Sequence, residues 1–378
     1  MEHTIKFYPV DNADCTLIKL SNGKTIIIDC QFFSDLNDND GKQVLYDVKA
    51  DLLKELSKDS DGHPFVDLFV NTHPHKDHCL GFGDHFYSGK VEDYDDDKDK
   101  DKIIIGELWV TPIVMSNDEC EDAKDIRKEA KRRRKLYKDD DSFKGSYGNY
   151  LRIIGYDKDK KFDERYSYIP GTTVSTANGS SLEWLDMFIH APFKEDIEGS
   201  KTTNNKNDAS IVIQYAFKIE GYVNPKCKLL IGGDAEHDIW QHILDNNQDD
   251  ANLQWNIFLS PHHCSWTFFN DTNKKDEVCE SAEEILERQI GDRSYIIASS
   301  KEIKEEDQNP PSYQAKKEYK KRLKTKDNFR NTAVDHKVNG ISQPIVFYID
   351  EHGKRKKENN TEAAGKSVYN RPAPRAGK

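Results

Sequence analysis

The sequence has no CxxC pair, and its cysteines are odd in number, with seven among 378 residues. Neither a disulfide framework nor a cysteine zinc cluster is therefore expected, and a reducing cytoplasm is the favoured location. No apolar run approaches the roughly 20 residues of a membrane span, so no transmembrane helix is predicted. A glycine-rich phosphate loop is also missing, because the isolated Gly81-Phe82-Gly83 is only weak evidence of a dinucleotide site.

Apolar residues and positive charge are also scarce. Hydrophobic residues make up 35% of the chain, which predicts long solvated insertions around a core of ordinary size. Lysine and arginine number 56 against 68 acidic residues, so the formal net charge is −12. This balance argues against a protein that coats DNA, which would usually be basic. It leaves a nucleotide substrate possible, because bound metal ions can supply local positive charge.

The apolar periodicity predicts a layered α/β protein with two β-sheets and helices outside them. One domain is expected over residues 1–350, with charged insertions near 32–43, 88–102 and 115–165, followed by a disordered tail at 351–378. The predicted strands cover 6–9, 15–20, 25–29, 66–70, 103–110, 182–189, 210–217, 228–231, 257–260, 295–298 and 345–349. The predicted helices cover 44–57, 120–138, 235–245, 281–289 and 312–322.

The stretch VNTHPHKDH, directly after the predicted strand at 66–70, concentrates three histidines and an aspartate. Only 13 of the 378 residues are histidine, so this density is not expected by chance. Residues two apart in an extended segment point the same way, and His73 and His75 can therefore converge on one ion. Asp77 and His78 can address a second ion beside it. Imidazole and carboxylate are ligands of catalytic zinc-like ions, so a metal site is predicted here.

This H-x-H-x-D-H pattern resembles the signature of the metallo-β-lactamase-fold hydrolases, and other segments match that superfamily in order. Asp29 ends an early strand, LLIGGD ends in Asp234, and a late histidine motif reads HHCS from His262. Together with NDAS at 207–210, these segments are similar to the ComEC-like branch. The resemblance implies an αββα sandwich of two mixed sheets with outer helices.

The resemblance also implies two divalent metal ions, zinc or manganese, in a dinuclear centre. His73 and His75 would hold one ion. The other would be held by Asp77, His78 and His262, and Asp234 would bridge the two. The remaining ligand of the first ion stays open between His190 and Asp208, with Asn207 beside the latter.

The same resemblance assigns catalytic roles to Asp77, Asp234 and His263. The two ions would activate a water and neutralise the charge that develops on a phosphate. His263 would donate a proton to the leaving oxygen or hold a phosphate oxygen. Asp29 would orient a ligand histidine without touching the metal.

Three functions remain compatible with these residues. The favoured one is a phosphodiesterase or nuclease that acts on a nucleic acid or a nucleotide. A hydrolase of lactam, lactone or thioester bonds would use the same cluster. The third is a metal-stabilised binding module without turnover, which the uncertain ligand of the first ion would favour. No membrane partner is expected, and the sequence does not identify a protein partner.

Two features outside the cluster could contact a nucleic acid. The helix predicted at 120–138 carries the basic run KEAKRRRKLYK, although such a run is usually a solvated face. Trp266 could stack on a base, although a tryptophan at such a position more often belongs to the core.

Overall fold

The computed structural model describes residues 1–116, 120–139, 146–157, 160–307 and 309–357, and the structural statements below concern these ranges. Each predicted strand and helix overlaps an observed one, and the mixed α/β class is confirmed. The strands are β1 His3–Phe7, β2 Thr16–Lys19, β3 Thr25–Ile28, β4 Cys30–Gln31, β5 Ser57–Lys58, β6 Pro64–Val70, β7 Cys79–Leu80, β8 Ile104–Val110, β9 Tyr150–Ile154, β10 Tyr156–Asp157, β11 Lys160–Lys161, β12 Ser167–Tyr168, β13 Thr173–Val174, β14 Thr176–Ala177, β15 Ser180–Ser181, β16 Leu185–Ala191, β17 Val212–Phe217, β18 Cys227–Ile231, β19 Ile257–Leu259, β20 Tyr295–Ala298, β21 Phe329–Asn331, β22 Lys337–Val338, β23 Ile341–Ser342, β24 Ile345–Asp350 and β25 Gly353–Lys356. The helices are α1 Val48–Glu55, α2 Phe82–His85, α3 Glu121–Asp139, α4 Lys194–Thr203, α5 His237–Asn246, α6 Pro261–Cys264, α7 Glu280–Glu287 and α8 Tyr313–Arg322.

The larger sheet of the described chain has the strand order β12-β9-β8-β6-β3-β2-β1-β24-β25, with β5 paired to β6 at the side. From β3 to β12 the neighbouring strands run parallel, and from β3 to β25 they run antiparallel. All seven residues of β8 are buried, as expected for a parallel strand covered on both faces.

The second sheet has the order β13-β16-β17-β18-β19-β20-β21. Its first pairs are antiparallel, and the pairs from β18 to β21 are parallel. Both large sheets are therefore mixed.

Three large hydrophobic clusters hold these layers together. One contains residues of both sheets, including Ile26 and Leu68 from the first and Met187 and Ile213 from the second. Another joins the first sheet to side chains of α1, α2 and α3. The third joins the second sheet to side chains of α5, α7 and α8. Apolar side chains therefore lie on both faces of each sheet, and their burial is the main stabilising contribution.

The parallel strands bring several chain reversals to one edge of each sheet. β3 and β6 end side by side in the first sheet, and β18 and β19 end side by side in the second. A backbone hydrogen bond of 3.0 Å from Ile211 to Thr72 joins the segment before β17 to the segment after β6. The carboxyl ends of strands in open α/β sheets are where ligands usually bind.

Two segments outside the predicted core carry regular structure. The segment 115–165 contains the predicted helix α3 and also β9, a strand of the larger sheet that pairs with β8. Leu151 and Ile153 of β9 belong to the same hydrophobic cluster as α3. Within the predicted tail, residues 353–356 form β25 and pair with β24, whereas 358–378 lie outside the described residues.

Among the described helices, none is both long and apolar enough to cross a membrane.

Candidate metal centre

Residues 73–78, here called the histidine loop, follow β6. His73 and His78 are fully buried, and His75 is partly buried. His75 has an extended backbone, and residues 76–78 form a single 3-10 turn. This conformation brings Nε2 of His73 to 3.0 Å from Nδ1 of His75, so the two rings converge as the sequence predicts.

Asp29 fixes the ring of His78. Its Oδ1 accepts a hydrogen bond of 2.8 Å from the backbone of Thr72, and its Oδ2 accepts one of 2.6 Å from the Thr72 hydroxyl. The same Oδ2 lies 2.8 Å from Nδ1 of His78. This contact holds the proton on Nδ1 and leaves Nε2 of His78 as the atom that can bind a metal. The position of Asp29 agrees with its predicted orienting role.

Asp234 lies at the centre of the cluster because two glycines precede it. A Cβ on Gly232 would come 2.5 Å from the Trp240 ring, and one on Gly233 would come 2.8 Å from the Thr72 hydroxyl. Gly233 also has a φ of +51°, which glycine adopts at the least cost. The buried Asp234 carboxylate places Oδ1 3.1 Å from Nε2 of His78 and Oδ2 3.5 Å from Nε2 of His73.

The turn after β19 brings two more histidines to Asp234. His262, His263 and Cys264 all have left-handed backbones, with φ of 49°, 53° and 68°. Such strain persists only where surrounding contacts impose it, and here the backbone of His262 donates to the carbonyl of Gly233 at 3.1 Å. The buried ring of His263 places Nε2 3.2 Å from Oδ2 of Asp77 and 3.6 Å from Oδ1 of Asp234. His262 is partly exposed, with Nε2 3.7 Å from Oδ2 of Asp234.

Asp14 also belongs to the centre, and sequence reasoning missed it. Its side chain is buried, its Oδ1 lies 3.7 Å from Nδ1 of His263, and its backbone donates to the carbonyl of Asp77 at 3.2 Å. Burial raises its pKa to about 6, against the opposing charges of His263 and His78. The only signal in the sequence is an acid between two apolar residues, Ala13 and Cys15, at the entry to β2.

Two groups of potential ligands meet at Asp234. One consists of His73, His75 and Asp234, and the other of Asp14, His78, Asp234 and His263. Within each group the ligand atoms all lie within 4.8 Å of one another. Asp234 is the member they share, as expected of a bridging acid.

The second group fits a cation. Each of its four residues has a buried oxygen or nitrogen atom that makes no hydrogen bond of good geometry in the described structure, although these atoms lie near one another, with His78 Nε2 3.1 Å from Asp234 Oδ1: Asp14 Oδ1, His78 Nε2, Asp234 Oδ1 and His263 Nδ1. Buried polar atoms in folded proteins are nearly always paired, and unpaired ones cost about 1–3 kcal/mol each. Two imidazoles and two carboxylates form a donor set that suits zinc or manganese. A divalent ion would satisfy all four residues together.

The charge states in the first group also suit a metal. Burial and the neighbouring His73 lower the pKa of His75 to about 3, and burial lowers that of His73. Both imidazoles are therefore neutral at pH 7 and keep a lone pair for a ligand bond. His78, which belongs to the second group, behaves differently. Burial alone would lower its pKa, but the carboxylates of Asp234 and Asp29 outweigh burial and raise the pKa.

The structure places the two predicted candidates for the remaining ligand outside both groups. Alternation along β16 puts Met187 and Ile189 in the cluster between the sheets, whereas His190 packs on Phe188 and directs Nε2 to the carbonyl of Asn252 at 2.8 Å. Asp208 accepts a hydrogen bond of 2.7 Å from Asn205. The expectation that one of them completes the first group is therefore not supported by their contacts.

The contacts of Asn207 differ from those of Asp208. It is buried, its Nδ2 donates to Oε1 of Glu236 at 3.1 Å, and its Oδ1 has no hydrogen-bond partner in the described chain. Glu236 in turn lies 3.8 Å from Nδ1 of His262. Because the amide nitrogen of Asn207 already donates to Glu236, its Oδ1 is the atom that could bind an ion.

Within the loops, His262, His263 and Asp77 have different surroundings. His263, expected as a proton donor, belongs to the buried group, whereas the predicted ligand His262 lies at its edge. Asp77, predicted as both ligand and catalytic residue, is outside the two groups but faces His263. The hydrogen bond to His263 overcomes the effect of burial and holds the pKa of Asp77 well below its usual range.

The two features outside the centre differ, because five lysines of α3, at positions 124, 128, 131, 135 and 138, are exposed, whereas two of its arginines and Trp266 are engaged within the fold. Arg133 of the basic helix α3 is buried against Glu129, with Nε 2.7 Å from Oε1, and its guanidinium donates to the carbonyl of Ile105. Arg132 pairs with the same glutamate. Trp266 is fully buried and packs on Phe269, so stacking on a base is ruled out in this conformation.

Comparisons of the chain with models of known protein families and with curated proteins find no match. What the centre can do therefore has to be inferred from its own side chains.

Proposed function

We propose that this chain is a metal-dependent hydrolase of phosphodiester bonds in a nucleic acid or a nucleotide. The observation that carries the proposal is the convergence of two buried imidazoles and two buried carboxylates at Asp234, four atoms of which make no hydrogen bond of good geometry. Maintaining that set without a ligand would be costly, and its residue types are those of hydrolytic metal centres.

The resemblance to the metallo-β-lactamase-fold hydrolases supports the reaction class. Segments that are far apart in the sequence, namely Asp29, the histidine loop, Asp234 and the histidine pair 262–263, meet in one place. The ComEC-like pattern favours a phosphodiester over a lactam or thioester substrate. We extend the proposal to the fold as an αββα sandwich within one domain over residues 1–350. The hydrophobic clusters support this arrangement, because one lies between the sheets and two lie under helices.

In this proposal His73, His75 and Asp234 hold one ion, and Asp14, His78, Asp234 and His263 hold the other. Bound there, two divalent ions would supply activation of water and neutralisation of phosphate charge. Asp29 keeps the proton of His78 on Nδ1, so that Nε2 stays directed at Asp234.

His262 is the side chain best placed to handle a proton. It is partly exposed, and its Nδ1 lies 3.2 Å from the Thr267 hydroxyl, which orients the ring. Its Nε2 faces Asp234 and can meet a substrate that enters the centre. Burial lowers the pKa of His262, so its ring is neutral at pH 7, and we therefore assign Nε2 of His262 to accepting a proton or a hydrogen bond from water or from the substrate. Asp77 positions His263 through the 3.2 Å contact at Nε2.

A metal-stabilised binding module without turnover is the second candidate. It is favoured by the first group, which has three ligands, while His190 and Asp208 have other partners. Such a protein would bind metal and would hydrolyse nothing.

An activity panel distinguishes the two candidates. The protein is loaded separately with manganese and with zinc, and assayed on single-stranded DNA, duplex DNA, RNA, cyclic nucleotides and a β-lactam. We expect hydrolysis of at least one phosphodiester substrate and none of the β-lactam. Stoichiometric metal without hydrolysis of any substrate would favour the binding module, and hydrolysis of the β-lactam alone would overturn the substrate assignment.

A further inference from the structure

Two thiols meet beside the histidine loop. Cys79 directly follows His78 and is fully buried, and Cys120 immediately precedes α3 and is partly exposed. Their Sγ atoms lie 3.6 Å apart in a sulfur–sulfur hydrogen bond. Neither thiol has a role in the proposed hydrolysis.

The surroundings of Cys120 favour its reactive form. The carbonyl of Cys120 accepts a hydrogen bond of 3.1 Å from Lys124, which places the residue at the start of the helix. The adjacent sulfur of Cys79, together with backbone N–H groups of Ala123 and Asp122, lowers the pKa of Cys120 to about 6. Thiolates at helix N-termini are the reactive cysteines of redox proteins. Cys79 lies buried beside it with its Sγ 3.6 Å away, which is the place of the partner thiol in such a pair.

We propose that Cys79 and Cys120 form a reversible disulfide when the protein meets a hydroperoxide. The Cys120 thiolate attacks one peroxide oxygen, forms Cys120–S–OH and releases hydroxide. The thiol of Cys79 then attacks the sulfur of Cys120, the S–S bond forms, and hydroxide leaves and takes up the thiol proton as water. Two electrons pass from the two sulfurs to the peroxide, and a dithiol reductant reverses the change.

The disulfide would act on the histidine loop. The thiol of Cys79 donates a hydrogen bond of 3.1 Å to the carbonyl of His75, and oxidation removes that proton. A disulfide holds its sulfurs about 2.05 Å apart, so the two Sγ atoms must approach by roughly 1.5 Å. His75 loses a backbone partner while Cys79 is drawn towards α3. We expect the ion held by His73 and His75 to be released about tenfold faster, because losing a hydrogen bond that supports a metal ligand weakens metal binding by about that factor. This consequence rests on the proposed function.

The disulfide itself is tested without reference to metal. Reduced protein is treated with hydrogen peroxide, its thiols are counted, and its cysteine peptides are mapped by mass spectrometry. We expect the seven thiols of the chain to fall to five and a cross-linked peptide to join Cys79 with Cys120. Seven thiols after treatment, a Cys120 oxidised only to its sulfinic acid, or a link from Cys79 to its strand partner Cys30 would overturn the proposal.

Serine variants supply the matched comparison. Cys120→Ser should lose the cross-link and still fold, because serine is a good residue at a helix start. Cys279 also precedes a helix and is also partly exposed, so Cys279→Ser is the control and should keep the Cys79–Cys120 link. A link that persists in Cys120→Ser, or disappears in Cys279→Ser, would contradict the assignment.

Metal release is then followed in oxidised protein and again after dithiothreitol. Faster release that the reductant reverses supports the coupling to the histidine loop. Unchanged release in a protein that does bind metal overturns the coupling. If the parent forms the link but binds no metal under any condition, the redox pair stands and the proposed function fails.

Discussion

Replacing Asp29 by asparagine removes the carboxylate that orients His78 and leaves the size of the side chain unchanged. Oδ1 can still accept from the backbone of Thr72, so the local fold should persist. The other atom becomes an NH₂ group at the position where Oδ2 lies 2.8 Å from Nδ1 of His78. Because an NH₂ group cannot accept a proton, His78 is driven to carry its proton on Nε2, the atom that faces Asp234.

The expected loss is a weakening of metal binding by roughly 10- to 100-fold, the range found when partners of ligand histidines are removed. This corresponds to about 1.4–2.8 kcal/mol of binding free energy. Titration of the metal-free protein in competition with a chromophoric chelator measures the loss.

Asp67→Asn is the matched control. Asp67 is a buried acid on β6 of the same sheet, and it bonds the backbone of Thr25 and the ammonium group of Lys24, away from the centre. This variant should lose some stability and keep the parent's metal affinity. The orienting role of Asp29 is refuted if Asp29→Asn binds metal as tightly as the parent, or if both variants weaken binding equally.

Three further predictions follow from contacts in the fold. Burial, and then the charge of Asp238, raise the pKa of Asp208 to about 6, so its charged form destabilises the folded state above that pH and costs nothing below about pH 3.8. Asp208→Asn should therefore keep the metal and stabilise the protein at pH 7 by about 1 kcal/mol, after allowance for the partial exposure of the side chain. Loss of metal from this variant would show that Asp208 is a ligand. Gly233→Ala adds a Cβ 2.8 Å from the Thr72 hydroxyl at a φ of +51°. We expect this variant to bind metal more weakly and to lose about 1–2 kcal/mol of unfolding free energy in chemical denaturation. The control Gly221→Ala, which has open space around its Cβ and a φ of +82°, should lose stability and keep its metal affinity. Glu129→Gln leaves the buried guanidinium of Arg133 without its counter-charge and should lower the free energy of unfolding by about 3–5 kcal/mol. A loss below about 1 kcal/mol in urea unfolding would show that the carbonyl partners of Arg133 alone stabilise its buried charge.

The parts of the centre that sequence reasoning found are those fixed by local geometry. His73, His75 and His78 lie within one short loop, and the strand before it determines where they can point. Asp234 was found through the resemblance of LLIGGD to the strand ending in Gly-Asp of the metallo-β-lactamase-fold hydrolases. These residues can be recognised without knowing which distant segments of the chain lie beside them in the fold.

Asp14, and the exchange of roles that we propose between His262 and His263, could not be foreseen in this way. Asp14 belongs to the centre only because the turn after β19 brings His263 to it, and that contact joins residues 249 positions apart. The choice between adjacent histidines depends on three successive left-handed residues, which the sequence Pro-His-His-Cys does not predict. His190 contacts Asn252, and the sequence could not predict this contact because the alternation along β16 leaves open which face meets the other sheet.

The metal content of the purified protein tests the central claim most directly. Protein prepared without chelator, or reconstituted with manganese or zinc, is analysed for bound metal together with its Asp14→Ala variant, which removes a ligand from the second group alone. We predict two divalent ions per chain in the parent and one in the variant. Trace metal in the parent after reconstitution would contradict the account, and two ions retained in the variant would remove Asp14 from the centre.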